Sequence, residues 1–586
     1  MASKTSASRR LLVVAVGAFV LLAGAIDLWR RHAPAGESAP VRLTNDAGLT
    51  TEPALSPDGK LVAYASDRGG PALDIWVQPA RGGQPRRLTT GDADNHSPAF
   101  SPDGLRLAFR SERGTGGVYI VPVRGGEPVL AAENGRDPQF SPDGSQLAWW
   151  VPLPENRAEL RVGPASGGES RRLCPEFRMA RYPVWSPNGT HLLFFGDDGR
   201  RSDWFVVPAA GGQPAGTGAR AILGIQGFWT DVVPTAWTRD SILFTGRSQK
   251  SVNIWRMPIS AELMQCTAGA KQITFGGTRE MHASASNDGT VAWAGTAVAK
   301  GVWMLKLDAK TGAASGEPIK LADGDDEGAL EPSVSADGSR IAFRRKEGFW
   351  VKDVNDGRET ELKIPAHRNS PAVISPDGRR VAYHEHDVIF SVPIEGGEPQ
   401  RICQHCWGMG GWSADGARVL FNNRDGISLA YTASGERREI LRYPKAPVQD
   451  ARFSPDGRWI AVEMRRRAGR QIWIAPYREG PSPKESEWIA ITEESAHSRN
   501  PSWSADGTVL YYLSGHEGFR CIWGRRLDRS THRPVGEPFA VRHFHQSRQA
   551  LTDPRNPGEM SLAAARDRLV FSMYQTTGNV WLMAGR

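Results

Sequence analysis

At 586 residues the chain exceeds one compact core, which predicts two large domains. Its 64 glycines and 41 prolines are interleaved with β-formers, which excludes a disordered chain and suits turn-rich all-β structure. The net charge of +8 is scattered, so no nucleic-acid-binding surface is predicted, and five cysteines exclude a dense disulfide framework.

The chain opens on a basic segment, residues 1–10, with Lys4, Arg9 and Arg10. Leu11 to Ile26 is uncharged and mostly apolar, and Asp27-Leu28-Trp29-Arg30-Arg31 follows. This pattern predicts a signal anchor, a transmembrane helix over 11–29 with its amino end cytoplasmic. Ala23-Gly24-Ala25 offers the alternative of a cleaved signal, and Ser8-Arg9-Arg10-Leu11-Leu12 resembles a twin-arginine export signal. Residues 30–40 read as a flexible tether.

From residue 41 the chain repeats one module, clearest from Pro98 to Pro128. A short apolar run meets the turn Ser101-Pro102-Asp103-Gly104, an alternating run follows to Arg110, and Val118 to Val123 ends at Gly125-Gly126. Proline presets the first central turn residue and glycine takes positive φ without strain. The turn serine or its equivalent recurs at Ser56, Ser101, Ser141, Ser186, Thr238, Ser286, Ser335, Ser375, Ser413, Ser454 and Ser504, with a degenerate copy at Ala563 to Arg566. An aromatic marks most third strands: Trp76, Tyr119, Trp204, Trp255, Trp303, Trp350, Trp473, Trp523 and Trp581. These read as packing between sheets. Fourth strands follow the type Arg86-Arg87-Leu88-Thr89. Four strands in about 45 residues indicate a β-propeller blade.

Ser-Pro-Asp-Gly, Leu-Ala-Phe, Asp-Ile-Trp-Val, Gly-Gly and Leu-Thr together resemble the TolB-type, WD40-like propeller repeat of bacteria, over roughly residues 41–586. The Gly-His and Trp-Asp signatures of true WD repeats are missing. The carboxyl-terminal part is similar to the extracytoplasmic propeller halves of bacterial membrane Ser/Thr kinases and winged-helix regulators. No Gly-rich loop, His-Arg-Asp or Asp-Phe-Gly set accompanies it, and no DNA-binding part is attached.

The expected fold is therefore all-β: two six-bladed rings of four-stranded blades, at 41–316 and 317–586, after one transmembrane helix. Blade six (His282 to Leu307) and blade twelve (Met560 to Met583) both lack the Pro-Asp turn and both carry Val-Trp in the third strand. Val41-Arg42-Leu43-Thr44 can complete blade six, and Pro318-Ile319-Lys320-Leu321 can complete blade twelve. Such closure removes exposed sheet edges. A seven-plus-five split is the alternative.

Residues just before each first strand are expected at the channel mouth: Glu52, His96, Asp137, Tyr182, His282, Glu331, Asn500 and Glu559. They form the candidate binding surface. The turn serines and aspartates read as scaffold, and neither Gly-x-Ser-x-Gly nor His-Glu-x-x-His occurs. Cys403-Gln404-His405-Cys406 with His384 and His386 allows three readings: a disulfide, a redox pair, or a metal site of His384, His386, Cys403, His405 and Cys406. His543-Phe544-His545 carries a weaker metal signal. Asp323 to Gly328 reads as a solvated linker, and Arg465, Arg466, Arg467 and Arg470 as a solvated hairpin loop.

The expected function is a membrane-anchored periplasmic scaffold or sensor with no cofactor and no catalysis. Its expected partner is a cell-envelope protein or a small ligand, with no nucleic acid. The expected location is the bacterial inner membrane, single-pass, with secretion after signal cleavage as the alternative. The competing function is a hydrolase or lyase acting on glycan or peptide at the channel mouth.

Overall fold

The computed structural model describes residues 39–585, apart from 154–156, 229–231, 249–250, 309, 325–330, 346–347, 365–370, 467–468, 495–496, 516–519 and 552–560. The local unit is set by the turn serine. In the first copy, the Ser56 hydroxyl donates to Asp58 at 2.7 Å and accepts the Leu61 N–H at 2.9 Å. Gly59 closes the turn at φ 70, in the left-handed region that glycine takes without strain. The same serine–aspartate pair recurs at Ser141, Ser335, Ser375 and Ser454. The serines are buried, and their bonds close the turn within each blade.

Each turn joins the first two strands of an antiparallel sheet. Thr50–Leu55, Leu61–Ser66, Asp74–Pro79 and Arg86–Arg87 form one such sheet, in that order. Alternating residues pack against the next sheet; Ala63, Ile75, Leu88, Leu107 and Phe109 form one such seam. The third-strand aromatics lie at these seams, with Trp204 buried against Phe244.

The innermost strands touch in two cycles. The first runs through Thr50–Leu55, Asn95–Phe100, Arg136–Phe140, Met179–Trp185, Val233–Trp237 and Arg279–Ala285, which returns to Thr50–Leu55. The second runs through Ser333–Val334, Val373–Ile374, Trp407–Trp412, Val448–Phe453, Arg499–Trp503 and Leu562–Ala564, which returns to Ser333–Val334. Trp407–Trp412 is reached through Arg380–Glu385, the second strand of the preceding sheet.

Where the cycles meet, the structure departs from the sequence expectation. Val291–Lys306 and Arg568–Met583 are continuous strands that pair antiparallel throughout, from Val291↔Met583 to Lys306↔Arg568. Arg279–Ala285, the near half of Val291–Lys306, the far half of Arg568–Met583 and Val41–Arg42 lie side by side in the first cycle. Leu562–Ala564, the start of Arg568–Met583, the end of Val291–Lys306 and Ile319–Asp323 do so in the second. Trp581 thus serves the blade of His282, and Trp303 serves the blade of Leu562, the reverse of the expected assignment. The physical reason is that Thr296-Ala297-Val298-Ala299-Lys300 contains no turn former. The chain therefore runs straight on instead of folding back.

The expected basic segment, the signal anchor over 11–29 and most of the tether lie outside the described residues. Among the described residues no helix is long and apolar enough to cross a membrane, and the α-helix Ala219–Ile225 spans 7 residues. The expected placement in the inner membrane is corrected on that finding. The linker expected at Asp323 to Gly328 falls largely outside the described residues, and Asp323 itself ends a strand.

Candidate functional site: two channel mouths

Each mouth is built from one backbone device. The first strands carry a β-bulge, seen as register shifts between Thr51 and Ala54, His96 and Ala99, Arg136 and Gln139, Arg181 and Val184, and Met281 and Ser284. One residue in each bulge has positive φ: Glu52 at 51, Ser97 at 51, Asp137 at 48, Tyr182 at 57 and His282 at 56. Non-glycine residues are uncommon there, and such strain concentrates at functional sites. The bulge re-aims these side chains into the channel. They line a cavity of about 1330 Å³.

Four of the expected residues, Glu52, Asp137, Tyr182 and His282, hold the bulge position in this mouth. His96 is one residue early, and Ser97 holds the position instead. The signal that locates it is the following proline, in Glu52-Pro53, Ser97-Pro98, Asp137-Pro138 and Tyr182-Pro183.

The bulge residues are linked from blade to blade. The Ser97 N–H donates to Glu52, and the Ser97 hydroxyl donates to Asp137 at 2.9 Å. The Trp150 indole N–H donates to the other Asp137 oxygen at 2.7 Å, and its ring meets Tyr182 edge-on at 6.0 Å. Arg136 and Arg181 lie over the same indole at 5.7 and 5.2 Å. His282 Nδ1 and the Thr51 hydroxyl, 3.5 Å apart, continue the belt from the sixth blade to the first.

His96 stands behind this belt, between two carboxylates. Its Nδ1 is 3.5 Å from Glu52 and its Nε2 is 3.2 Å from Glu112, whose other partner is the Arg110 fork. Burial pushes the Glu52 carboxyl up, but His96, His282 and the Ser97 N–H together hold it at about 2. Burial likewise opposes the charged form of His96, and the two carboxylates overcome it, raising His96 to about 10. Burial also opposes the Glu112 charge, but His96 and Arg110 hold it well below the usual carboxylate range. Ser97 Oγ lies 3.4 Å from His96 Nδ1, a spacing that resembles a nucleophile and its base. The Ser97 hydroxyl donates to Asp137, and His96 is engaged by the carboxylates on either side of it.

The second mouth repeats the device with different contents. Glu331, Asp450 and Asn500 have φ of 26, 54 and 51, and line a cavity of about 670 Å³. Glu331 and Asn500 were expected there; Asp450 was missed because Ala451 replaces the marker proline. Glu559 lies outside the described residues. Arg470, expected in a solvated loop, instead pairs with the buried Glu463, which also accepts from Gln449 at 3.0 Å. Arg467 is outside the described residues. Burial, with the nearby Asp450 charge, pushes the Glu463 carboxyl up. Burial and the Arg470 charge bring Arg499 down to about 10.

Cys403 and Cys406 form a disulfide, with Cα atoms 6.3 Å apart. Of the three readings the disulfide is the one formed; both thiols are thereby consumed, and the metal reading of His384, His386, Cys403, His405 and Cys406 is corrected. His405 Nδ1 lies 2.6 Å from Asp387, and His386 occupies a tight turn at φ 55.

Residues 41–213 match the family model of the TolB β-propeller domain. The chain is 26% identical over 232 residues to Tricorn protease homolog 1 of Streptomyces coelicolor, covering 35% of this chain and 21% of that protein. It is 25% identical over 217 residues to the uncharacterized peptidase YuxL of Bacillus subtilis, covering 33% of this chain and 31% of that protein. The chain thus spans less than a third of the length of these relatives. Among solved structures, putative TolB from Agrobacterium tumefaciens aligns with 47% of this chain and 99% of its own, at TM-score 0.36 and 17% identity. The tricorn protease aligns with 88% of this chain and 54% of its own, at TM-score 0.33 and 14% identity.

Proposed function

We propose that this chain, whose residues 41–213 match the TolB β-propeller family model, is a binding module made of two six-bladed rings, and that the first channel mouth takes the ligand. The observation that carries this reading is that Glu52, Ser97, Asp137, Tyr182 and His282, five strained residues, line a cavity of about 1330 Å³, with contacts running from Glu52 to Tyr182. Such pre-organisation lowers the cost of ordering a binding surface. The Glu52 and Asp137 carboxyl oxygens are hydrogen-bonded in place and favour a ligand rich in N–H donors, either a polypeptide segment or a small cationic molecule. His96, between Glu52 and Glu112, supports the carboxylates.

The test is capture of protein partners and calorimetry against a peptide library, using wild type and the double variant Glu52→Gln, Asp137→Asn. Binding lost in the variant supports the reading; binding equal in both proteins overturns it. A second reading is that the chain serves a peptidase, and the partial similarity to two peptidase-named proteins favours it. Peptide hydrolysis by the purified chain, abolished by Ser97→Ala, would replace the first reading with this one.

A further inference from the structure

Cys521 opens the strand Cys521–Leu527, and Pro534–Arg542 pairs beside it with Ile522 opposite Arg542. One step further along this antiparallel register brings Cys521 next to His543, and cross-strand neighbours on one face have Cβ atoms about 4.5–5.5 Å apart. Alternation then returns His545 to the same side, while Phe544 turns into the core against Phe571. The two imidazoles lie 4.7 Å apart between ring centres, and the Trp523 ring meets His543 edge-on at 6.0 Å. The Cys521 sulfur and one nitrogen from each histidine all lie within 4.8 Å of one another.

We propose that Cys521, His543 and His545 form a binding site for one Zn²⁺ ion. Zinc with bonds of about 2.0–2.3 Å sets its ligand atoms roughly 3.3–3.8 Å apart, so modest side-chain rotations suffice. One thiolate and two imidazoles suit a borderline-soft divalent ion, and three protein ligands leave a fourth position for water or a ligand group. A second feature fits a thiolate. The Phe544 N–H donates to the Cys521 sulfur at 3.3 Å, the kind of outer-shell hydrogen bond that steadies a metal-bound sulfur. Cys521 is buried, His545 half-buried and His543 exposed, so an ion can reach the site from the histidine side. On binding, the thiol loses its proton to solvent, the sulfur–zinc bond forms, and both imidazoles coordinate as neutral donors.

The segment that follows crosses to the first cycle. The Ser547 N–H donates to Asp94 at 2.6 Å, and Arg548 reaches Asp67 at 2.9 Å. Zinc would therefore fix the root of a strap that joins the two cycles.

The test titrates the full chain, its Cys403–Cys406 disulfide intact, with Co²⁺, then displaces it with Zn²⁺. One equivalent with a thiolate-to-cobalt charge-transfer band is expected, and that band should vanish in Cys521→Ser. Cys174 and Cys266 are also outside disulfides, so a band that survives in Cys521→Ser overturns the proposal, as does no band in wild type. Because Cys521 is buried and its substitution can disturb folding, the exposed His543→Ala is the second variant. Its affinity for Zn²⁺ should fall at least about tenfold; unchanged affinity overturns the proposal.

Discussion

The two channel mouths share a backbone and differ in charge. In the first, His96 sits between Glu52 and Glu112, and every member of the group is stabilised in its charged form. In the second, burial pushes Glu463 toward its neutral form, while Arg470 and Arg499 repel each other. The bulge fixes where a side chain will stand in both. What stands there differs from blade to blade, and this separates scaffold from function within a repeat.

The largest expected effect tests whether the two cycles are independent. Deleting residues 575–586 removes Val580, Trp581 and Leu582, which pack in the first cycle. Loss of these buried groups should destabilise that cycle by at least about 5 kcal/mol. Limited proteolysis should then cut between residues 41 and 299 first. Preferential cutting within 310–560 would show that the strands are not exchanged.

Next in size is the loss of a carboxylate. Glu112→Gln leaves the His96 charge with a weakened cage and should cost about 3 kcal/mol in denaturant unfolding. Glu463→Gln replaces a carboxyl already pushed toward neutrality and should cost less than about 1 kcal/mol. Equal costs would erase the contrast between the mouths.

The pH dependence should have opposite signs. Glu52 is lowered from 4.5 to about 2, so its contribution is complete above the higher value and is lost as pH falls through the lower. His96 is raised from 6.5 to about 10, so its contribution is complete below pH 6.5 and is lost as pH rises toward 10. Glu463 is raised, so stability at the second mouth falls as pH climbs above its unfolded value of 4.5. Melting temperatures of wild type, His96→Gln and Glu463→Gln from pH 3 to 10 check this. His96→Gln should flatten the alkaline limb, and Glu463→Gln should remove the loss that begins above pH 4.5.

The smallest effect concerns strain. Asn500 makes no ion pair, so Asn500→Gly should change stability by no more than a few tenths of a kcal/mol. Glu52→Gly should destabilise by about 3 kcal/mol, because the relief at φ 51 is outweighed by the lost contacts to His96 and Ser97. Thermal melts of both variants measure the difference.

The turns were legible in the sequence because they are local: the Ser56 hydroxyl reaches only to Leu61. The mouth was legible at Glu52, Asp137, Tyr182 and His282, but the expectation fell one position early at His96, although Pro98 marks Ser97, and missed Asp450, where no proline follows. The pairing of Glu463 with Arg470 was hidden because a hairpin of charged residues reads as a solvated face. The exchanged strands were the least legible. Trp303 and Trp581 sit in equivalent motifs, so either assignment satisfies the local pattern. Only a contact spanning nearly three hundred positions, such as Val291↔Met583, distinguishes them.

That exchange also governs the order in which the protein can assemble. The first cycle lacks the third strand of its last blade until residues 577–583 leave the ribosome, although its other blades are complete by residue 297. The second cycle needs only residues 300 to 574, so it can close first. The half made earlier is thus the half finished last. Until then its last blade has an open sheet edge, the kind of edge that pairs readily with other chains.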